Sequence, residues 1–243
     1  MKNTAATATR VLTQLRHDPR SLALIIAVPC VLEGLLKAMF SGQPQVFQQI
    51  GAPLLGLFPF ISMFLVTSVT MLRERTSGTL ERLMTMPIEK LDLLGGYGIA
   101  FALLATVQAT VVSLLAFGLL GLDVAGSQVA VAALAVANAV LGMALGLFVS
   151  AFARTEFQAV QFMPAFVLPQ FLLCGLLVAR EDMADWLRVI SALLPLTYAY
   201  DALAKVAAGG PYGTRFVVDV VVVLGSIAVA LALGAATLRR RTG

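Results

Sequence analysis

The sequence predicts an all-α integral membrane protein with six transmembrane helices. Three observations carry that prediction. Hydrophobic residues make up 59% of the 243-residue chain and charged residues only 12%, against the ~25% charged usual in soluble domains. Several apolar runs reach the ~20 residues that a helix needs to cross a bilayer. The runs are continuous rather than alternating, which excludes a transmembrane barrel. A net charge of +4 could point to nucleic acid. The basic residues flank the apolar runs, however, and read as topology signals, so no nucleic-acid partner is expected.

Residues 1–20 are polar and basic. Val11, Leu12 and Leu15 fall on one side of a helix, with Arg10, Gln14 and Arg16 on the others. That spacing predicts an N-terminal interfacial helix, broken by Asp18-Pro19-Arg20. The remainder, 21–243, reads as one six-span domain. Span 1, residues 22–40, is long enough to cross and has no small-residue cleavage site soon after it, so it reads as a span rather than a leader. It carries Glu33 and Lys37, four apart in the order that favours a salt bridge. Residues 41–51 carry no charge and read as a short outer loop.

Span 2 covers 53–72 and span 3 covers 94–120. Span 3 opens on Gly95-Gly96-Tyr97-Gly98, a cluster with neither a preceding strand nor a Walker lysine; close helix packing explains it. Span 4, residues 128–152, contains Gly142 and Gly146 in small-xxx-small spacing. Span 5, residues 157–178, holds Gln158, Gln161 and Gln170 with Pro164 and Pro169, which bend a helix and free carbonyls. The external segment 179–213 is too charged to span. Trp186, Leu187, Ile190 and Leu194 give it an apolar face, so a short re-entrant or interfacial helix is expected. Span 6 covers 216–238 and is followed by Arg239-Arg240-Arg241. Cys30 and Cys174 lie inside spans without metal or redox spacing and read as packing residues.

The longest charged interruption among the first four apolar runs is residues 71–87. Thr76, Ser77 and Gly78 can start a helix there, Glu81 suits its first turn, and Pro87 stops it. Leu80, Leu83 and Met84 form one apolar edge. That edge can meet the lipid interface or a groove on a soluble partner, or the stretch can be a solvated connector. Arginines and lysines concentrate on the side of the termini and this stretch. The opposite side carries Arg180, Arg188, Lys205 and Arg215, with Lys37 near it. The bias predicts a multi-pass protein of the cell membrane with both termini cytoplasmic.

Catalytic chemistry is missing from the sequence. The one histidine, His17, lies in the tail, which removes HExxH hydrolysis and intramembrane serine–histidine sites. No G-x-S-x-G elbow and no Walker A lysine motif occurs. No catalytic residue, metal site or bound cofactor is therefore predicted for this chain. Uphill movement of a solute would draw its energy from a partner, with the cytoplasmic amphipathic stretch as the place to push.

The order of these motifs resembles the type 2 membrane subunits of ATP-binding-cassette exporters. The residues concerned are Asp18-Pro19-Arg20 and Arg73-Glu74-Arg75 with Gly78-Thr79-Leu80-Glu81-Arg82-Leu83 and Pro87. They continue with Gln161, Pro164, Pro169, Cys174-Gly175, Met183, Trp186-Leu187 and Pro195-Leu196-Thr197-Tyr198. The chain departs from the family pattern at Cys174, where serine is common, and at Ala184, where proline is common. The resemblance implies two membrane subunits, identical or paired with a relative, docked on two cytoplasmic ATPase subunits that hold ATP and Mg. It implies a coupling helix over about 76–87, with Arg75, Leu80, Glu81, Arg82, Leu83 and Met84 as ATPase-coupling residues. It makes Glu33, Gln161, Trp186 and Tyr198 candidates for the pathway or its gate. Drugs or amphipathic, lipid-like molecules are favoured over polysaccharide, because few aromatic residues could stack on sugars. A non-transporting scaffold that recruits a soluble protein through residues 71–87 is the alternative, and an intramembrane enzyme is disfavoured.

Overall fold

The computed structural model describes residues 2–78, 90–210 and 212–237. Within them the chain is helical throughout, with no strand among the described residues. The elements are α1 (Lys2–Arg16), α2 (Pro19–Met39), α3 (Pro44–Thr76), α4 (Lys90–Leu114), α5 (Gln128–Val149), α6 (Glu156–Leu173), α7 (Asp185–Leu193), α8 (Pro195–Ala207) and α9 (Thr214–Thr237). A π-helical turn, Leu115–Leu119, ends α4, and short 3-10 turns occupy Ser150–Phe152 and Arg180–Asp182.

Among the described residues five helices are long and apolar enough to cross a membrane: Leu22–Met39, Pro44–Thr76, Asp92–Leu119, Gln128–Phe152 and Thr214–Thr237. The pair α7 and α8, bent by 90°, makes a sixth if it counts as one broken span. Helix α6, expected as span 5, is 18 residues long. That is about 27 Å, close to the hydrocarbon thickness, but its glutamines and prolines lower its apolarity.

The bundle is built around α3 and α5. Thr67 of α3 donates to its own helix at Met63 O (2.6 Å) and lies 3.2 Å from Met143 O of α5. Gly142 and Gly146 let the two backbones approach: a Cβ on either would collide with the Phe60 or Phe64 carbonyl of α3. Phe47, Phe60, Phe64, Tyr97 and Phe101 are fully buried around this seam. Helices α2, α4, α6 and α8 pack on α3, and α9 packs on α5.

Several expectations need correction. Residues 44–51 are helical, not loop, so α3 runs 33 residues. Proline at its first turn suits a helix start, Phe47 is buried in the core, and Gln48 finds partners in Gly121 O (3.1 Å) and Asp123 N (2.6 Å). The side chain of Gln48 is therefore satisfied by the neighbouring connection. At the other end α3 continues through Thr76, and Gly78 adopts φ +72°, so residues 76–78 end α3 instead of starting a coupling helix. A left-handed residue stops an α-helix, and glycine takes that conformation at no steric cost. Helix α6 likewise ends at Leu173, five residues short, where Gly175 has φ +107°.

The expected Glu33–Lys37 salt bridge is not formed. Glu33 faces the bundle interior, fully buried, while the Lys37 ammonium sits 4.7 Å from the centroid of the Phe47 ring. Four-residue spacing brings two side chains to one helical face, yet here the aromatic ring of α3 competes for the cation. Helix α1 also differs in detail, because its apolar edge has a protein partner. Val11 is buried, and α1 lies along α4 where Gly96 leaves room for Thr7.

Candidate functional site

Three successive residues at the end of α3 each reach a different element. Arg73 makes a bidentate pair with Glu156 at the start of α6, at 2.7 and 2.9 Å. Glu74 lies 3.6 Å from Arg10 of α1. Arg75 Nη1 donates to Ser150 O at 2.7 Å, in the turn that ends α5. Consecutive residues on a helix point about 100° apart, so one turn can contact three neighbours. Arg10 also donates to the Tyr97 hydroxyl, with its guanidinium carbon 5.6 Å from the ring centroid, which carries the link into α4.

The Arg73 hydrogen bonds hold the Glu156 carboxyl below its ordinary carboxylate range. A lowered folded-state pKa means the pair persists above the free glutamate value and is lost as pH falls through the lowered one. The same end of α6 carries a capping arrangement: Thr155 Oγ1 accepts from Gln158 N (3.2 Å), and Gln158 Oε1 accepts from Arg154 N (2.9 Å). Gln158 is thereby assigned to the cap.

Beside this cluster, α1, α2, α3 and α6 enclose a groove of about 830 Å³. Its walls are apolar, with Val28 and Leu32 from α2, Ile61 and Leu65 from α3, and Val160 and Met163 from α6. Its mouth is polar and includes Asp18, Arg73, Glu74 and Ser77. Arg73 and Glu74 therefore belong both to the groove and to the three-way attachment of α3. A largely apolar concavity with few convergent polar groups is the usual form of a small-molecule site. Among the described residues no group of three or more His, Cys, Asp or Glu could hold a metal ion.

The segment from the end of α6 to α8 is built on a hydrogen-bonded corner. Ser191 Oγ donates to Leu173 O (2.9 Å), Thr197 Oγ1 to Ser191 O (2.8 Å), and Tyr198 Oη to Ala192 O (2.7 Å). These bonds join α6, α7 and α8 around the 90° bend. Trp186, Val189 and Leu193 of α7 stay exposed, an apolar stripe suited to the bilayer interface.

Residues 3–207 match the family described as ABC-2 type transporter. The chain belongs to that family. Among curated relatives, ABC transporter G family member 20 of Dictyostelium discoideum is 28% identical over 154 residues, covering 63% of this chain and 21% of its own. The probable multidrug ABC transporter permease YbhR of Escherichia coli K12 is 27% identical over 156 residues, covering 63% of this chain and 42% of the relative. YbhS of the same strain is 24% identical over 178 residues, covering 73% and 47%. The chain thus aligns with less than half the length of each of these relatives.

In this ABC-2 chain, Leu80, Glu81, Arg82, Leu83 and Met84 lie outside the described residues. Arg75 is half-buried in the attachment just described. Gln161 is exposed on α6, outside the groove lining, while Val160 and Met163 line it. Trp186 is exposed and Tyr198 half-buried at the corner between α7 and α8. Glu33 lies away from the groove, and neither carboxylate oxygen has a hydrogen-bond partner. Sequence reasoning passed over Arg73, Glu74 and Glu156 as site residues. Only the charge alternation Arg-Glu-Arg at the end of a span hinted at them.

Removing an unsatisfied buried polar group typically gains about 1–3 kcal/mol. Glu33→Leu is therefore expected to raise the thermal midpoint of the solubilised protein. A lower midpoint would show that Glu33 has a partner in the assembled state.

Proposed function

We propose that this chain is the membrane-spanning permease subunit of an ATP-driven exporter. It forms the translocation pathway with a second copy or a related permease and couples to a separate cytoplasmic ATPase, where ATP and Mg bind. One observation carries the reading: Arg73 and Glu74 line the groove mouth and, with Arg75, fasten the end of α3 directly ahead of residues 79–87. A push on that segment has a short route to the groove and to α1, α5 and α6. Leu80, Leu83 and Met84 supply an apolar edge for the ATPase surface, and Glu81 and Arg82 supply charge that fixes orientation.

The apolar walls favour drugs or amphipathic, lipid-like molecules, in line with the multidrug names of YbhR and YbhS. Phe58 is the one aromatic residue among the groove-lining residues described, which leaves little surface for sugars to stack on. In this reading Gln161, Trp186 and Tyr198 flank or gate the exit. The arginine distribution puts both termini on the cytoplasmic side of the cell membrane.

The test is co-expression with the candidate ATPase and co-purification in mild detergent. Leu80→Glu with Leu83→Glu is expected to weaken ATPase capture about tenfold or more while the chain still inserts, as charges do in an apolar hot spot. Val28→Trp, which fills the groove, should keep the ATPase but abolish substrate-stimulated hydrolysis and efflux. Equal capture by wild type and the double variant would make the segment a connector. Capture by neither would favour a non-transporting scaffold, and normal efflux by Val28→Trp would move the pathway elsewhere.

A further inference from the structure

The groove between α1, α2, α3 and α6 has apolar walls, and its charge is gathered at the mouth. Among the described residues, the charged side chains in its lining are Asp18, Arg73 and Glu74. The one cation of the three is already engaged. Arg73 donates through Nε and Nη2 to both carboxylate oxygens of Glu156, at 2.7 and 2.9 Å, and Glu156 is not part of the lining. Glu74 is compensated less well. Its side chain is only 11% exposed, and its Oε2 is buried without a hydrogen-bond partner. The arginine that faces it, Arg10, stands 3.6 Å away and donates instead to the Tyr97 hydroxyl. Asp18, at the break between α1 and α2, brings a second carboxylate to the same end.

Charge and size together select the occupant. A desolvated carboxylate beside low-dielectric walls attracts a cation more strongly than it would in water. An anion placed there would lose its hydration and meet like charge. A small hydrated cation gains nothing from the apolar walls, and a neutral apolar molecule gains nothing from Glu74. The volume of about 830 Å³ lies in the usual range of small-molecule sites. We propose that the groove takes amphiphilic cations, with the positive charge at Glu74 and Asp18 and the apolar body between Val28, Leu32, Ile61 and Met163. The inference rests on the exporter reading for the occupant's role as cargo, while the binding itself needs only this chain.

The probes are tetraphenylphosphonium and tetraphenylborate, ions of nearly equal size and opposite charge. Binding of each to the full chain in mild detergent is measured by equilibrium dialysis, with protein-free micelles subtracted. Wild type is expected to bind the phosphonium about tenfold more tightly, or better, as a partly buried carboxylate would require. Glu74→Gln combined with Asp18→Asn should remove that preference, and each single variant serves if the double variant is not monodisperse. Val28→Trp should weaken binding of both ions. Equal or tighter borate binding by wild type would overturn the proposal. So would undiminished phosphonium binding in a monodisperse acid-free variant or in Val28→Trp. Because no ATPase is present, the two readings fail separately. Phosphonium binding by a chain that never captures an ATPase keeps the site and removes the exporter. Captured ATPase stimulated by a neutral amphiphile, with no phosphonium bound, keeps the exporter and overturns the site.

Discussion

Gly142→Val is expected to destabilise the solubilised protein by about 3 kcal/mol, at the upper end for overpacking. The residue sits where α5 crosses α3, and an added Cβ would run into the Phe60 carbonyl, which is backbone and cannot rotate away. One turn on, Gly146 faces the Phe64 carbonyl and the Thr67 hydroxyl in the same way. Within a bilayer no hydrophobic force draws helices together, so close van der Waals approach between small residues supplies much of the attraction. Separating the seam would also pull Thr67 away from Met143 O and loosen the phenylalanines packed around it. Thermal midpoints from size-exclusion chromatography would read the loss. Gly225→Ala is the control: nothing lies within 4 Å of a Cβ there, and alanine is the better helix former by about 1 kcal/mol. A wild-type midpoint for Gly142→Val would mean that α3 and α5 do not meet at this seam.

That seam was legible in the sequence only as a motif. Gly142 and Gly146 announced a close contact, but small-xxx-small spacing names no partner helix, and the partner is α3. The spans themselves were readable because uninterrupted apolar runs have few alternatives in lipid; 128–152 coincides with Gln128–Phe152. Boundaries failed where polar residues find partners that lie far away in sequence. Gln48 is bonded to residues 121 and 123, so the α3 start looked like loop. The amphipathic N-terminal helix was read correctly as a helix, whereas its docking on α4 rests on Thr7 fitting against Gly96, a match invisible to periodicity. The attachment at Arg73, Glu74 and Arg75 is likewise a tertiary product. Its partners, Glu156, Arg10 and the Ser150 carbonyl, come from three separate elements, and local sequence treats all of them as solvated charge or turn. The corner between α7 and α8 is a tertiary product as well: the 90° turn depends on Ser191, Thr197 and Tyr198 bonding across it.

Lys205→Met carries the second large expected effect, a loss of about 3–5 kcal/mol. Asp219 lies inside α9 with its side chain only 3% exposed, and Lys205 of α8 is its ion-pair partner. Asp219 cannot turn to the neighbouring cations without competition, because Arg180 (3.2 Å) and Arg215 (3.9 Å) are both directed at Asp201. Truncating the lysine leaves a carboxylate desolvated and unpaired, with another carboxylate close by. The cost belongs to that stranded charge rather than to the pair, which sets up a clean contrast. Lys205→Met combined with Asp219→Leu removes both charges, and a buried ion pair exchanged for apolar groups of similar size is often neutral or stabilising. The double variant should recover most of the lost thermal midpoint, and Asp219→Asn alone should cost less than Lys205→Met. If the double variant is as unstable as Lys205→Met, the stranded charge is not the cause. The packing of the Lys205 stem between α8 and α9 would then hold these two helices together.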